Sequence, residues 1–272
     1  MSANLENTLH LQPIKRSRIY WVFSDTAQLV KRSLLHIKQD PDQLLGVTIQ
    51  PIMFIVLFRY VFGGAINTGG VSYVNFLMAG IFVQTTAFAS TTTSVSIATD
   101  LKEGIVDRFR SLPMVKSAVL SGHIIADLIR SLIATAVMIL AGLAVGFRPH
   151  ANVLQWLAAI GILLLTTLSF SWIGAIIGLL GKSVEFVQQA SFIWLFPLTF
   201  ASSAFVPPTS MPRYLRDFAV NQPITQIVDA VRALLLNIPA GNHIWVALIW
   251  LIGILIVSFP IAAYSFKRRT AS

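Results

Sequence analysis

The chain has no cysteine among its 272 residues, which excludes disulfides, thiolate nucleophiles and cysteine metal ligands. Charge is scarce too: Asp, Glu, Lys and Arg together make up 11% of the residues. With 55% hydrophobic residues and a mean hydropathy of +0.73, no single soluble core would hide the apolar surface, so the chain reads as an integral membrane protein. A phosphate-binding loop is missing. Gly181-Lys182-Ser183 ends like one, but the pattern requires glycine at position 176, which is isoleucine, and the tripeptide follows an apolar run instead of a strand. His10, His36, His123, His150 and His243 fall in separate segments without ligand spacing, so no metal site is expected. No serine, histidine and carboxylate arrangement stands out, and a membrane-embedded enzyme has no residue to name. The polar N-terminal region lacks an apolar signal core, and no cleaved targeting peptide is expected.

What is present is apolar runs flanked by basic residues. The formal charge of +9 would suggest nucleic acid in a soluble protein; here it fits membrane topology and anionic lipid, and no nucleic-acid partner is expected. Residues 1–18 form a polar tail with Lys15, Arg16 and Arg18. Over 19–40, Phe23, Ala27, Val30, Leu34 and Ile37 step by four, three, four and three opposite Asp25, Gln28, Lys31, Arg32 and Lys38, the pattern of an amphipathic interface helix that Asp40-Pro41 breaks. Six spans follow, near 44–63, 73–98, 119–146, 153–180, 187–206 and 243–265, each long enough to cross about 30 Å of hydrocarbon at about 1.5 Å per residue. With the N-terminus inside, fourteen Lys and Arg lie in cytoplasmic segments against four (Arg148, Arg213, Arg216 and Arg232) in external loops, so both termini are expected in the cytoplasm. Residues 19–272 are thus one all-α transmembrane domain.

Two loops interrupt the hydrocarbon pattern. The first, 100–113, is the densest run of charge, and Leu101, Ile105, Phe109 and Leu112 share one face of an expected short cytoplasmic helix, with charges on the other sides. Apolar anchors inside a charged rim suit a docking surface. The second, 207–241, opens with Pro207-Pro208-Thr209-Ser210-Met211-Pro212. A short helix starts at Tyr214, Leu215 and Phe218 and ends near Asn221-Gln222-Pro223; another carries Ile224, Val228, Val231 and Leu235 and stops at Asn237-Ile238-Pro239. Both helices are too short or too charged to span, and a re-entrant hairpin at the external mouth is expected.

Polar residues inside spans admit two readings. Asp127 and Arg130, three apart on one helix face, neutralise each other; alternatively Asp127 carries a proton in a secondary transporter. Arg59 sits where it can snorkel toward the external headgroups. Gln84-Thr85-Thr86 and Ser90-Thr91-Thr92-Thr93-Ser94 either bond back to helix carbonyls or line a path for an amphipathic molecule, and Gln188, Gln189 and Pro197 raise the same choice in span five.

Glu103-Gly104-Ile105-Val106-Asp107-Arg108-Phe109-Arg110-Ser111-Leu112-Pro113, continuing through Ala118-Val119-Leu120-Ser121-Gly122 to Asp127 and Arg130, resembles the signature of ABC-2 type permeases, particularly the daunorubicin-resistance exporter branch. Phe205-Val206-Pro207-Pro208 with Met211-Pro212, then Asn221-Gln222-Pro223-Ile224-Thr225 and Asp229 to Leu234, resembles its second half; Arg213-Tyr214 replaces the glycine and tryptophan expected after Met-Pro. The resemblance implies a non-catalytic permease in a prokaryotic plasma membrane that pairs with a second permease copy and with two copies of an ATP-binding subunit, which would hold ATP and Mg. It implies export of an amphipathic drug-like or lipid-like molecule, or of a glycan or lipid-linked glycan. The docking segment would be the coupling helix, with Leu101, Lys102, Glu103, Gly104, Ile105, Asp107, Arg108, Phe109, Arg110 and Leu112 meeting the ATPase. Phe109 would be the anchor, and Glu103 and Arg108 would set register. Gln84, Thr85, Thr91, Gln189 and Phe196 are implied path residues. Pro207, Pro208, Met211, Pro212, Asn221 and Pro223 are implied parts of the external gate.

Overall fold

The computed structural model describes residues 41–66, 68, 70–104 and 117–269, with the side chains of 41–48 and 117–121 outside the description. The expected tail, the interface helix at 19–40 and, within the docking segment, Ile105, Asp107, Arg108, Phe109, Arg110 and Leu112 lie outside the described residues. Those described are helical, without strands. Helix α1 is Pro41–Leu57, continued by a π-helical turn at Phe58–Phe62; α2 is Tyr73–Lys102, α3 Ser117–Ala144, α4 Val153–Leu180 and α5 Val184–Phe200. After a 3₁₀ turn at Pro208–Ser210 come α6, Arg213–Asn221, α7, Pro223–Leu236, and α8, His243–Arg269. Four of these helices, α2, α3, α4 and α8, are long and apolar enough to cross a membrane.

The helix ends follow from local chemistry. At α4, the Asn152 side chain accepts from the Gln155 backbone N–H and Gln155 accepts from the Asn152 N–H, both at 2.8 Å, a capping box that satisfies two end donors. Ser183 caps α5 through the Phe186 N–H at 3.1 Å. Pro223 occupies the first turn of α7, where its missing N–H costs nothing. The far end of α2 corrects the expected docking helix. Asp100, Leu101 and Lys102 form the last turn of α2 itself, and Gly104 at φ +66° ends the helix in the left-handed region that glycine adopts without a Cβ clash. Leu101 and Lys102 thus belong to α2, which ends at Lys102 with Glu103 as its cap.

Span five also differs from expectation. A helix over 187–206 was expected, but α5 ends at Phe200 and residues 201–206 form a turn. Pro197 lies one turn before this end, and the released carbonyls are taken by a distant side chain: Gln222 Nε2 donates to Leu198 O at 2.8 Å and to Ala201 O at 3.2 Å.

Helix α2 is the least apolar of the four long helices and the most enclosed. Its span window is 72% buried, against 17% for α8, and it packs on α1, α3, α4, α5 and α7. Polar groups in hydrocarbon require partners within the protein, so the most polar helix takes the centre and α8 faces outward. Among the helices, α4 comes closest to it. A Cβ on Gly174 would stand 2.4 Å from Ser90 O, and one on Gly178 would stand 2.5 Å from Ser94 O. Small residues four apart on both helices bring the backbones together.

A second anchor fixes the N-terminal end of α2. Arg232 on α7 is 7% exposed; its Nη1 donates to Asp229 Oδ1 at 2.5 Å, its Nη2 to Ser203 O at 2.6 Å and its Nε to Phe76 O at 3.2 Å, with the guanidinium 3.7 Å from the Phe76 ring centroid. Ser203 Oγ completes the pair by donating to Asp229 at 2.7 Å. Arg232, counted above among external-loop charges, is therefore interior and ties α7, the 201–206 turn and α2 together. The α7 stripe of Ile224, Val228, Val231 and Leu235 is buried, whereas Tyr214, Leu215 and Phe218 of α6 are exposed.

Two substitutions test these contacts. Gly174→Leu should lower the unfolding midpoint in detergent, at a cost of about 1–3 kcal/mol from overpacking, while Gly161→Ala, where a Cβ meets nothing within 4 Å, should leave it unchanged or slightly higher. Arg232→Ala should cost roughly 3 kcal/mol by stranding Asp229, and Asp229→Asn combined with Arg232→Met should recover most of that loss. Equal midpoints for Arg232→Ala and wild type would contradict the anchor.

Candidate functional site

Midway along the helices the interior turns polar. Asp127 on α3 is 2% exposed and pairs with Arg130 Nη1 one turn along the helix. Thr93 of α2 donates its hydroxyl to the other carboxylate oxygen, and Ser171 of α4 approaches that oxygen at 3.4 Å. Ser131 and Thr167 share a hydrogen bond of 2.9 Å beside them. The carboxylate thus has partners from three helices, and the two opposite charges cancel at short range in a medium that penalises lone ions. Toward the end of α2, His123 Nε2 lies 2.9 Å from Asp100 Oδ2, bracing the last α2 turn against α3.

Beside the Asp127–Arg130 pair lies a cavity of about 190 Å³ bounded by α1, α2, α3 and α5. Helix α2 contributes Gln84, Thr85, Phe88, Thr91 and Thr92. Gln50 and Phe54 enter from α1, Arg130 and Ser131 from α3, and Gln188 and Phe192 from α5. Aromatic rings meet across it, Phe88 and Phe192 having centroids 5.6 Å apart. From Phe54 a column of rings runs toward the 201–206 turn: Phe54 stacks at 6.2 Å on Phe205, which also stacks at 4.7 Å on Phe58 and at 5.0 Å on Phe200.

The hydroxyl-rich stretch of α2 divides by face. Thr86 bonds back to Phe82 O and Val83 O, Ser90 to Ala87 O and Ser94 to Ser90 O, all on the buried packed side. Gln84, Thr85 and Thr91 face the cavity; Thr85 Oγ1 reaches only Met138 Sδ at 3.3 Å, and Thr91 Oγ1 is buried with no hydrogen-bond partner. Of the five path residues named from the sequence, these three come together. Gln189 and Phe196 do not border the cavity. Gln189 is exposed one position from Gln188, a rotation of about 100° on the helix, and Phe196 is half-exposed and stacked on Phe200 at 4.2 Å.

Sequence reasoning missed Gln50, Phe54, Phe88 and Phe192, and it gave Arg130 only the task of neutralising Asp127. The available signal for Arg130 was an arginine inside an apolar run. Among the named gate residues, Pro207 and Pro208 open the 3₁₀ turn, Pro212 caps α6, Asn221 ends it and Pro223 starts α7. Arg216 clasps this turn, its Nη2 donating to Thr209 O at 2.7 Å and to Met211 O at 3.3 Å. Of the docking residues, Leu101 and Lys102 close α2, and Glu103 and Gly104 follow. Arg59 packs against Gly146, and its Nε is buried without a partner.

Four helices long and apolar enough to cross a membrane, a partly polar cavity between helices and a charged turn at the end of the central helix all suit a membrane permease. The family model described as ABC-2 type transporter matches residues 25–236. The daunorubicin resistance ABC transporter permease protein DrrB1 of Streptomyces coeruleorubidus is 30% identical over 240 residues, covering 88% of this chain and 85% of that protein. The probable doxorubicin resistance ABC transporter permease protein DrrC of Mycobacterium tuberculosis is 23% identical over 252 residues, covering 91% and 90%. A putative transport permease, ycf38, of Porphyra purpurea is 25% identical over 223 residues, covering 80% and 76%. With more than half its length inside the family model, the chain belongs to the ABC-2 type transporter family.

Proposed function

We propose that this chain is the membrane half of an ATP-driven exporter that moves an amphipathic, drug-like or lipid-like molecule out of a prokaryotic cell. Membership of a family of membrane transport subunits supports a non-catalytic role, with hydrolysis on a separate ATP-binding chain. In this reading six helices cross the membrane with both termini cytoplasmic, two permease copies pair, and each meets one ATP-binding subunit through 100–113. ATP and Mg belong to that partner. The observation that carries the reading is the family match along most of the chain, together with the daunorubicin and doxorubicin resistance named for two relatives.

The mechanism follows from where α2 leads. Its cytoplasmic end runs directly into the docking segment, its middle lines the cavity, and near its outer end Phe76 O accepts from Arg232. Closure of the ATP-binding subunits would move the docking segments, and α2, braced to α3 by Asp100–His123 and to α4 at Gly174, would transmit that motion to the cavity and to the outer turn. The gate residues Pro207, Pro208, Met211, Pro212, Asn221 and Pro223 would then move as the loop between α5 and α7. ATP acts only through its different affinity for the inward and outward states.

The proton-driven alternative requires Asp127 to gain and lose a proton during transport. Its pairing with Arg130 and the hydroxyl of Thr93 favours a permanently compensated charge instead. Asp127→Asn should therefore leave ATP-dependent export within about two- to threefold of wild type after correction for folded amount, whereas a proton carrier would lose transport outright. Phe109→Ala or Glu103→Ala should uncouple ATP hydrolysis from export in vesicles while leaving the unfolding midpoint unchanged. Wild-type export rates in both variants would count against the docking segment.

A further inference from the structure

The cavity has a charge character that distinguishes among amphipathic molecules. Its one charged side chain among the described lining residues is Arg130, and no carboxylate is among them. Asp127 sits behind Arg130, 3% exposed at its side chain and held by Arg130, Thr93 and Ser171, so the cavity meets the positive end of the pair. Around it stand polar groups able to donate hydrogen bonds: the amides of Gln50, Gln84 and Gln188 and the hydroxyls of Thr85 and Thr91, the last without any partner. The remaining wall is aromatic, with Phe54, Phe88 and Phe192. An engineered apolar cavity of about 150 Å³ accepts benzene, so one of about 190 Å³ has room for a one- or two-ring aromatic system.

We infer that this cavity, lying within one chain between α1, α2, α3 and α5, binds planar aromatic compounds whose polar substituents are anionic or hydrogen-bond acceptors, and that it disfavours aromatic amine cations. A carboxylate or sulfonate gains charge-assisted bonds from the guanidinium and donors from the amides and Thr91. An ammonium group in the same place faces the positive end of the compensated Asp127–Arg130 pair, with no carboxylate among the described lining residues to receive it. The ring system packs against the exposed faces and edges of Phe88 and Phe192, which already touch each other at 5.6 Å, in offset or tilted geometry. The inference rests on the permease reading only in taking the bound molecule as cargo; binding itself needs no partner chain.

The test is equilibrium binding to the full chain in lipid nanodiscs with a size-matched pair, radiolabelled 2-naphthoate and 2-naphthylmethylammonium. Naphthoate should bind at least about tenfold more tightly than the ammonium compound. Ala89→Phe, which projects a ring into the cavity from a half-buried position, should weaken naphthoate binding about tenfold or more, and the near-isosteric Thr91→Val should weaken it severalfold with an unchanged unfolding midpoint. Asp127→Asn with Arg130→Gln should abolish the preference between the two compounds. Equal affinities in wild type, tighter binding of the cation, or naphthoate binding unaffected by both Ala89→Phe and Thr91→Val would overturn the assignment. ATP-dependent export measured alongside separates the two claims. Export that Ala89→Phe neither slows nor weakens overturns the cavity and leaves the exporter standing. Naphthoate binding with the expected variant pattern, but no ATP-dependent transport in native vesicles, supports the cavity and sinks the exporter.

Discussion

The rest of the structure depends on the burial of α2. In hydrocarbon a polar group finds its partner inside the protein or goes without, and α2 carries Gln84, Thr86, Ser90, Thr93 and Ser94, all buried. That requirement surrounds it with five other helices. The Gly174 and Gly178 contacts then set how close α4 can come, and Asp127 finds its third partner, Ser171, on the same α4 surface. The outer helix α8, with few internal obligations, remains mostly exposed.

From this constraint come both the rigidity and the function. One helix ends in a charged turn at Asp100, Leu101 and Lys102, borders a cavity in its middle and meets a buried arginine near the other end. The charged pairs are placed at these levels: Asp100–His123 at the C-terminal end of α2, Asp127–Arg130 beside the cavity and Asp229–Arg232 near the helix's N-terminal end. Each is held across more than one helix, so movement of α2 relative to its neighbours exchanges specific bonds and favours discrete states over gradual flexing.

Much of this was legible in the residues. Span four falls at 153–180 because Asn152 with Gln155 marks its start and Gly181 its end. The two helices around Pro223 follow from their breakers, and the Asp127–Arg130 pairing follows from their spacing. The unread parts are those set by contacts far along the chain. Arg232 counts as an external charge until Phe76, Ser203 and Asp229 are brought around it. Helix α5 stops at Phe200 because Gln222, more than twenty residues onward, accepts the task of satisfying its last carbonyls. In the cavity, composition pointed to the polar face of α2 but not to which neighbour completed it. The choice of Gln189 over Gln188 illustrates the difficulty: one residue turns a helical side chain by about 100°, and only the neighbouring helices decide which of the two exposed amides borders the cavity.

The absence of cysteine makes the central claim, that nucleotide on another chain controls access to this cavity, directly measurable without a background label. Thr92→Cys lines the cavity and can be probed with a membrane-impermeant maleimide added to one side or the other of sealed native vesicles. The account predicts that trapping the partner in its ATP-bound state lowers labelling from the cytoplasmic side and raises it from the external side. Labelling that is the same with and without nucleotide, from both sides, would contradict it.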